Sequence, residues 1–450
     1  MMRSTTSRFF FLALLLGAFL SVTPGLQQDG VAGSKYEELA TFNNVLSIVE
    51  KNYVESVDDK KLIEGAIQGM LASLDPHSNF LDADTFKEMQ VETKGTFGGL
   101  GIEITVKDGY ITVVSPIAGT PAYRVGIQPG DKIIKIEGKS TKNMSLIDAV
   151  KLMRGPKGSK INITVYREGM TRPEDYTIVR DVIHIESVKA RVLEKGYGYV
   201  KIASFQEKTD QDLEKGISEL RKKGDLKGLV LDLRNNPGGL LDQAVKVSNV
   251  FLDGGLIVYT DGRVENQKMR FEATKGAKEV NYPMVVLVNG GSASASEIVA
   301  GALQDHRRAL ILGTQTFGKG SVQTIIPLEG GSGLRLTTAH YFTPDGHSIQ
   351  AKGIGPDIVV EPVETKADED SKKEDEDVFM LREENLEGHL ENPDEPDESA
   401  EPAEKDEKSS TPVDPRETYG DPKNDVQLAR ALELLKSWHV FEALAKNEAS

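Results

Sequence analysis

A serine and a lysine in one stretch of the chain have the residue types and surroundings that acyl chemistry needs. Ser294 follows a short apolar run, Met284 to Val288, and a glycine turn, and it precedes a segment with apolar residues at helical spacing. The pattern predicts a strand, a turn and a helix, with Ser294 where the helix begins. The first amides of a helix lack internal partners, so they can donate hydrogen bonds to an oxyanion forming beside an attacked carbonyl. Ser294 is therefore a candidate nucleophile.

Lys319, between Gly318 and Gly320, is the candidate base for that serine. A lysine accepts a proton only when its amine is neutral, which requires burial to lower its pKa from about 10.4. Neutrality near pH 7 corresponds to a shift of about three units, or about 4 kcal/mol. Gln323 lies four residues further on, so we expect both side chains on one face of an extended strand. The amide oxygen of Gln323 could then hold the amine in line with the serine.

Ser294 and Glu297 also have an interpretation without catalysis. A serine followed three residues later by a glutamate is a capping box, in which both side chains satisfy amides at the start of a helix. These residues alone do not separate a nucleophile from a cap. The lysine and glutamine further along the chain favour the nucleophile.

The segment SASASE, followed by FGKGSVQ with Lys319 twenty-five residues after Ser294, resembles the carboxyl-terminal processing peptidases, also called tail-specific proteases. The resemblance covers about residues 35–362, and its one departure is at His340 and His347, where relatives more often carry arginine or lysine. The other matching segments are LDPHSNFL at 74–81, DLRNNPGGLL at 232–241 and LTTAHYFTPDGHSIQAKGIGPDIVV at 336–360. The resemblance implies Ser294 as nucleophile, Lys319 as general base and Gln323 as the residue that orients the lysine.

The same resemblance implies an oxyanion hole with two amide donors. One is the amide of Ala295, and the other belongs to Gly238 or Gly239 in the Pro-Gly-Gly turn. The alternative is that this turn is only a tight connection. His77 could suggest a catalytic triad, but a histidine in a turn beside a proline is more often structural, and we interpret it so. No metal and no cofactor is implied.

Residues 93–180 form a separate unit that resembles a PDZ domain, with the segment GIQPGD at 126–131 in the expected place. In such a domain converging backbone amides capture a C-terminal carboxylate, and the bound tail adds as a strand beside residues 101–106. The alternative is that the glycines only supply turn conformations. The residues expected to bind a substrate tail are Gly98, Gly99, Leu100 and Gly101.

Residues 181–362 alternate short apolar strands with helices, which predicts an α/β core with parallel strands. The resemblance implies a catalytic core like that of crotonase and the caseinolytic protease, with the PDZ domain inserted. Helical spacing predicts two helices within residues 35–92 and a packed helix at 426–446. In relatives the N-terminal helical region helps to form a dimer, so a homodimer through these helices is expected.

The charge of the chain is concentrated in one segment. The formal charge is −16, but residues 364–408 alone hold 20 acidic and 6 basic residues, so the rest is nearly neutral. We therefore expect no nucleic-acid binding, and we interpret residues 363–425 as a flexible acidic segment. Within it, an apolar set could dock as a short helix: Val378, Phe379, Leu381, Leu386 and Leu390. The chain has no cysteine, which excludes disulfides, thiolate metal sites and a cysteine nucleophile.

Residues 1–26 have basic residues ahead of the apolar run Phe9 to Val22, as a secretory signal does. Cleavage between Ser21 and Ala32 is expected, although a retained segment would anchor the protein to the membrane. The chain is interpreted as an exported serine endopeptidase of the periplasm or cell envelope, with a serine-lysine dyad. It acts on proteins or peptides with free C termini, and an adaptor or regulator could assist it.

Two other functions remain open. A trypsin-like envelope protease with a PDZ domain would need a Gly-x-Ser-Gly-Gly segment, and the turn Asn235 to Gly239 contains no serine. A catalytically inactive PDZ scaffold or chaperone would only bind tails. The presence of the serine, the lysine and the glutamine together argues against it.

Overall fold

The computed structural model describes residues 30–276, 279, 281–362, 382–394 and 420–448. The predicted signal, residues 1–26, lies outside them. The chain divides into two compact units, which end and begin at Ile67 and Gln68. Among the described helices, none is both long and apolar enough to cross a membrane.

The N-terminal region carries α1 (Gly30–Asn52) and α2 (Asp59–Ala72), the two helices that the sequence predicts there. After β1 (Asn79–Leu81), a further helix, α3 (Ala83–Lys94), forms where the apolar spacing predicts none. The residues at the two ends of α3 explain why this helix forms. Asp82 accepts a hydrogen bond from the N–H of Thr85 at 2.8 Å, and Gly95 ends the helix at a φ of 64°.

Residues 102–179 form a β-rich unit around its own apolar core, where the sequence predicts a PDZ domain. Its elements are β3 (Ile102–Lys107), β4 (Tyr110–Pro116), α4 (Pro121–Arg124), β5 (Lys132–Ile136), β6 (Lys139–Ser140), α5 (Leu146–Met153), β7 (Lys160–Tyr166) and β8 (Glu174–Val179). The strand order is β3-β4-β5-β7-β8, with β6 paired to β5. β3 is therefore an edge strand, to which a peptide can add. The flanking strands β2 (Thr96–Gly99) and β9 (Asp181–His184) pair with each other.

The remaining elements build the core that carries the candidate site. They are β10 (Val188–Glu194), β11 (Tyr197–Ile202), α6 (Thr209–Lys222), β12 (Gly228–Asp232), α7 (Leu241–Phe251), β13 (Gly255–Gly262), β14 (Met269–Ala273), β15 (Met284–Val288), α8 (Ala295–Asp305), β16 (Leu310–Gly313), β17 (Ser321–Pro327), β18 (Gly333–Phe342), β19 (Ile358–Val359) and α9 (Val426–Glu448). Short 3-10 helices occur at Glu265–Gln267, Glu329–Gly331 and Glu383–Asn385.

The central sheet has the order β10-β11-β12-β15-β16-β19 and is parallel except for β10, as the α/β prediction requires. Every residue of β12 and β15 is buried, because helices cover both faces. Val286 packs into the cluster that contains α6, α7 and α8, whereas its neighbour Leu287 packs with Leu428 and Leu435 of α9. The predicted C-terminal helix thus covers one face of the central sheet.

The site lies at the carboxyl ends of two neighbouring parallel strands. β12 pairs with β15, so the Pro-Gly-Gly turn after β12 and the serine turn after β15 emerge at the same edge of the sheet. A second, antiparallel sheet has the order β1-β18-β13-β14, and β17 also pairs with β18. The loop before β17 carries Lys319.

Residues 382–394 are packed and not flexible, and they include Leu386 and Leu390, two of the residues expected to dock as a short helix. Glu383 has 0% and Asn392 has 7% of its surface exposed, so this part is packed against the core. An acidic composition predicts that a long segment is solvent-exposed on average. It does not reveal a short stretch within that segment that is buried by specific contacts. Residues 363–381 and 395–419, which include Val378 and Phe379, lie outside the described residues.

Candidate active site

Ser294 occupies the turn between β15 and α8, with φ 54° and ψ −111°. A positive φ is unusual for a serine and costs about 1–3 kcal/mol unless surrounding contacts compensate. Here the N–H of Ser294 donates to Glu297 at 2.7 Å, and the N–H of Ala293 donates to the carbonyl of Asn236 at 3.0 Å. These contacts hold the serine where α8 begins, as the sequence predicts.

Three serines alternate in this turn, and they differ in what their hydroxyls do. Ser292 Oγ donates to the carbonyl of Leu233 at 2.8 Å, and Ser296 Oγ donates to that of Asn236 at 2.9 Å; both serines are fully buried. Ser294 is only partly buried, and its hydroxyl makes no capping hydrogen bond. Of the two capping contacts, only the one from the N–H of Ser294 to Glu297 is therefore made, and the hydroxyl of Ser294 stays available for chemistry.

The Pro-Gly-Gly turn packs directly against the serine turn. A Cβ on Gly238 would lie 2.9 Å from Ser294 Cβ and 3.0 Å from the amide nitrogen of Ala295, so only glycine fits. The amide of Gly238 donates to Asn236 Oδ1 at 2.9 Å. Within the described part of the chain, the amides of Gly239 and Ala295 donate no hydrogen bond. The geometry thus favours Gly239 over Gly238 as the second donor to an oxyanion.

Asn236 connects these two turns, and the sequence interpretation gave it no role. It is fully buried, its Oδ1 fixes the Pro-Gly-Gly turn, and its carbonyl accepts from the serine turn. Its Nδ2 donates to the carbonyl of Ile202 at 2.9 Å, which ties both turns to the end of β11. The only signal in the sequence is the polar side chain beside the Pro-Gly-Gly turn.

Lys319 lies in the loop before β17, and the prediction that it shares a strand face with Gln323 is wrong. The pairing of β17 with β18 begins at Ser321. Before it, the chain turns tightly, with Gly318 at a φ of 97° and the N–H of Gly320 donating to the carbonyl of Gly318 at 3.2 Å. A glycine on each side of the lysine permits this turn, which side-chain alternation along a strand does not describe.

Glu297 joins the serine turn to the lysine loop. Its fully buried carboxylate accepts four hydrogen bonds: from the N–H of Ser294, the hydroxyl of Thr316 at 2.6 Å, and the N–H groups of Gly318 and Lys319 at 2.7 and 2.9 Å. Burial raises the pKa of Glu297 to about 7, against the lowering effect of the four donors. The same residue that a capping box explains locally therefore ties the backbone of Ser294 to that of Lys319.

We expect Glu297→Gln to lower kcat by about 100-fold or more, because an amide presents one acceptor oxygen and turns its NH2 group toward two of the four donors. The measurement is kcat and KM on a peptide substrate at pH 8, where the native carboxylate is ionised. Thr316→Val is the control, since it removes one donor and keeps the carboxylate. A kcat in Glu297→Gln equal to that of the unaltered protein would show that Glu297 is not needed to hold Ser294 and Lys319 in position.

The surroundings of Lys319 favour its neutral form. Burial lowers the pKa of Lys319, and the positive charge of Arg335 lowers it further. The carboxylates of Glu383, Asp75 and Glu297 act in the opposite direction, but the net shift is downward. A lowered pKa is the direction of shift that a lysine base requires.

Gln323 is held beside the lysine loop with its amide oxygen free. Its Nε2 donates to Thr337 Oγ1 at 2.8 Å and to Ser321 Oγ at 3.3 Å, whereas its Oε1 is buried without a partner. Among the described residues, no hydrogen bond joins Lys319 Nζ to Ser294 Oγ or to Gln323. Glu297 brings the backbone of Ser294 and of Lys319 together, and the contacts expected among Ser294, Lys319 and Gln323 are not formed in this conformation.

His77 has a structural partner. Its Nε2 lies 2.8 and 3.0 Å from the two carboxylate oxygens of Glu383, and no hydrogen bond links it to Ser294 among the described residues. This agrees with the structural interpretation of the histidine. Glu383 itself was missed, because in the sequence it is one acid among many.

The four residues predicted to bind a tail fall into two groups. Gly98 and Gly99 lie in β2, opposite Val182 and Asp181 of β9. Leu100, with 2% of its surface exposed, and Gly101, with a φ of 75°, form the connection to β3, and their amides have no backbone partner in the described chain.

Comparisons with known proteins agree with this arrangement. A family model described as peptidase family S41 matches residues 196–360, a PDZ domain model matches residues 112–167, and a model described as activating protease CtpB N-terminal domain matches residues 20–85. The chain is 49% identical over 432 residues to a carboxy-terminal-processing protease of Bartonella bacilliformis, covering 95% of each. It is 41% identical over 340 residues to carboxy-terminal processing protease CtpA of Bacillus subtilis, covering 75% of this chain and 71% of that one.

Among solved structures, a photosystem II D1 C-terminal processing protease is 32% identical, with a TM-score of 0.42, and the match covers 72% of this chain and 93% of that one. The match to the Bartonella protein extends over 95% of both sequences. The chain therefore belongs to the carboxy-terminal-processing serine proteases of peptidase family S41 and carries a PDZ domain.

Proposed function

We propose that this protease is an exported endopeptidase in which Ser294 is the nucleophile, Lys319 is its base, and the PDZ domain selects substrates by their free C termini. The observation that carries the dyad is the buried carboxylate of Glu297, which binds the backbone of Ser294 and of Lys319 at once. A structural cap needs no such link to a lysine loop.

The proposed reaction follows from the groups at the site. Ser294 Oγ attacks the carbonyl carbon of the scissile bond, and its proton passes to the neutral amine of Lys319. The amides of Gly239 and Ala295 donate to the oxyanion. The ammonium of Lys319 then protonates the leaving amine, and the ester on Ser294 is hydrolysed by a water that Lys319 deprotonates.

Gln323 would act when a substrate is bound. Its unpartnered Oε1 is a buried acceptor, and the amine of Lys319 has N–H groups to offer. In the substrate complex the amine of Lys319 would donate to that oxygen, which would direct the amine toward Ser294. The resting conformation, in which these contacts are absent, is then a state that substrate binding completes.

The free amides of Leu100 and Gly101 support capture of a carboxylate beside the edge strand β3. Gly98 and Gly99 would serve by shaping the approach to them.

We expect a peptide with an amidated C terminus to bind about ten- to a hundred-fold more weakly than the same peptide with a free carboxylate, because charge-assisted hydrogen bonds of about 1.5–3 kcal/mol are lost. Kd is measured on the Ser294→Ala protein, and cleavage of the matched pair is measured on the unaltered enzyme. Equal Kd, kcat and KM for the two peptides would show that tails are not selected by their carboxylate. Tail binding without any cleavage would instead support the scaffold function.

Export to the periplasm or cell envelope is proposed from the basic and apolar character of residues 1–26. Sequencing the N terminus of the mature protein from cell fractions tests it, and an intact N terminus in the cytoplasmic fraction would contradict it.

A homodimer through the N-terminal helices is proposed as well. On α1, apolar side chains with exposed surfaces recur at helical spacing: Tyr36, Leu39, Phe42, Val45 and Ile48. Sedimentation of the purified protein and of Phe42→Asp tests this, and a monomer in both cases would contradict it.

A further inference from the structure

A short piece of the acidic C-terminal segment contacts the lysine loop. We call residues 382–394 the tail strut. Its residue Glu383 has no exposed surface, and the N–H of Glu383 donates to the carbonyl of Phe317 at 3.1 Å, two residues before Lys319. The other end is fixed too, since Asp394 accepts a hydrogen bond from the N–H of Ser348 at 2.6 Å.

The carboxylate of Glu383 reaches the other side of Lys319 through one glutamine. Gln350 Nε2 donates to Glu383 at 2.9 Å, and Gln350 Oε1 accepts from the N–H of Gly320 at 3.1 Å. Gln350 is fully buried, and its Nε2 also donates to the carbonyl of Leu390 in the tail strut at 3.0 Å. The strut therefore holds the backbone both before and after the lysine.

A carboxylate without exposure is costly unless it is paired, so its presence here calls for a role. His77 and Gln350 both bind it. Burial acts to raise the pKa of Glu383, but the hydrogen bonds from His77 and Gln350 and the charges of His77 and Lys319 outweigh burial, and the pKa is lowered. Glu383 is thus an ionised group beside the lysine loop.

We propose that Glu383 is a positioning residue for the catalytic lysine, and that the tail strut is a working part of the active site. It holds Phe317 and Gly320, whereas Glu297 holds the intervening amides of Gly318 and Lys319. The inference rests on the proposed role of Lys319 as base. It assigns a catalytic task to a segment outside the matched protease region, which ends at residue 360.

The charge of Glu383 provides a readout that a purely structural contact lacks. The charged groups around Lys319 are Arg335, Asp75, Glu297 and Glu383, and His77 contacts the last of these. Removing one of the three negative charges makes the protonated lysine less stable. The pH at which activity rises therefore moves down when Glu383 becomes neutral.

The test uses full-length protein and a peptide substrate with a free C terminus. Glu383→Ala is expected to lower kcat about ten- to a hundred-fold and to change KM less than about twofold, because a displaced base slows the chemical step and leaves tail binding intact. Glu383→Gln, which keeps the shape, is expected to move the midpoint of the kcat/KM rise to lower pH and to lower kcat less. The matched control is Glu384→Gln at the next position, where the side chain is 45% exposed and pairs with Arg382; it is expected to match the unaltered enzyme.

Full kcat in Glu383→Ala, or a pH midpoint unchanged in Glu383→Gln, would overturn the proposal. If Glu383→Ala does not fold by circular dichroism, the isosteric Glu383→Gln decides through its midpoint. Lys319→Ala distinguishes a failure of the serine-lysine dyad from a failure of the role proposed for Glu383. Activity in Lys319→Ala would defeat the dyad itself, whereas an inactive Lys319→Ala together with fully active Glu383 variants would defeat only the role of the strut.

Discussion

Lys319→Ala is expected to lower kcat/KM on an unfolded casein-like substrate by at least about 10⁴-fold, and Ser294→Ala is expected to do the same, because a nucleophile and its base act as one unit. Lys319→Arg should be no better, since a guanidinium does not give up its proton. The folds should remain intact, because neither side chain makes a hydrogen bond that the core needs. Circular dichroism and the melting temperature check this.

Controls for these variants exist in the chain. Ser292→Ala removes a buried hydroxyl of the same turn that donates to the carbonyl of Leu233 and accepts from the N–H of Asn289. We expect a stability loss of about 1–3 kcal/mol, with most of the activity retained. Lys246→Ala removes an exposed lysine that pairs with Asp242 and should change nothing in catalysis. Substantial cleavage by purified Lys319→Ala would show that another group takes the proton of the serine.

Asp425→Ala is expected to lower the free energy of unfolding by about 3–5 kcal/mol, the usual effect of breaking a buried ion pair from one side. Asp425 stands at the start of α9 and accepts from the guanidinium of Arg234 at 2.9 and 2.7 Å. Arg234 is fully buried and also donates to Asp232. Without Asp425, one carboxylate remains for a buried guanidinium, and α9 loses its anchor on the sheet.

The measurement is urea unfolding of the full chain, compared with Glu433→Gln, which removes an exposed partner of Arg430 on the same helix. Activity should fall as well, since Arg234 lies two residues before Asn236 in the loop that carries Gly239, a proposed oxyanion donor. A stability change below about 1 kcal/mol in Asp425→Ala would mean that α9 is held by its apolar face alone.

Much of this arrangement could be predicted from local sequence. A buried apolar run followed by glycine and small residues predicts a strand-turn-helix, and Ser294 lies where that pattern places it. The parallel core and α9 follow from the same periodicities, whereas the PDZ unit follows from the resemblance carried by the segment GIQPGD at 126–131. The apolar spacing that predicts the C-terminal helix also identifies its buried face, because Leu428 and Leu435 pack against the sheet.

The rest depends on contacts between residues far apart in the chain, which no local pattern encodes. Glu297 is a cap by spacing, and its bonds to the lysine loop exist only because α8 and that loop are brought together. Glu383 is separated from its partner His77 by 306 positions. An acid-rich composition predicts exposure to solvent, so the sequence of such a segment does not reveal which single carboxylate is buried.

The central claim is that Lys319 is a neutral base at working pH, and the pKa of its amine tests it most directly. Lysine carbons next to the amine can be followed by NMR through a pH titration of the Ser294→Ala protein, and the signal of Lys319 is assigned by its absence when Lys319 is also replaced by arginine. Burial and Arg335 lower the pKa, so the account predicts a midpoint well below the value of about 10.4 for free lysine. A midpoint at or above that value would mean that Lys319 stays charged and cannot take the proton of Ser294.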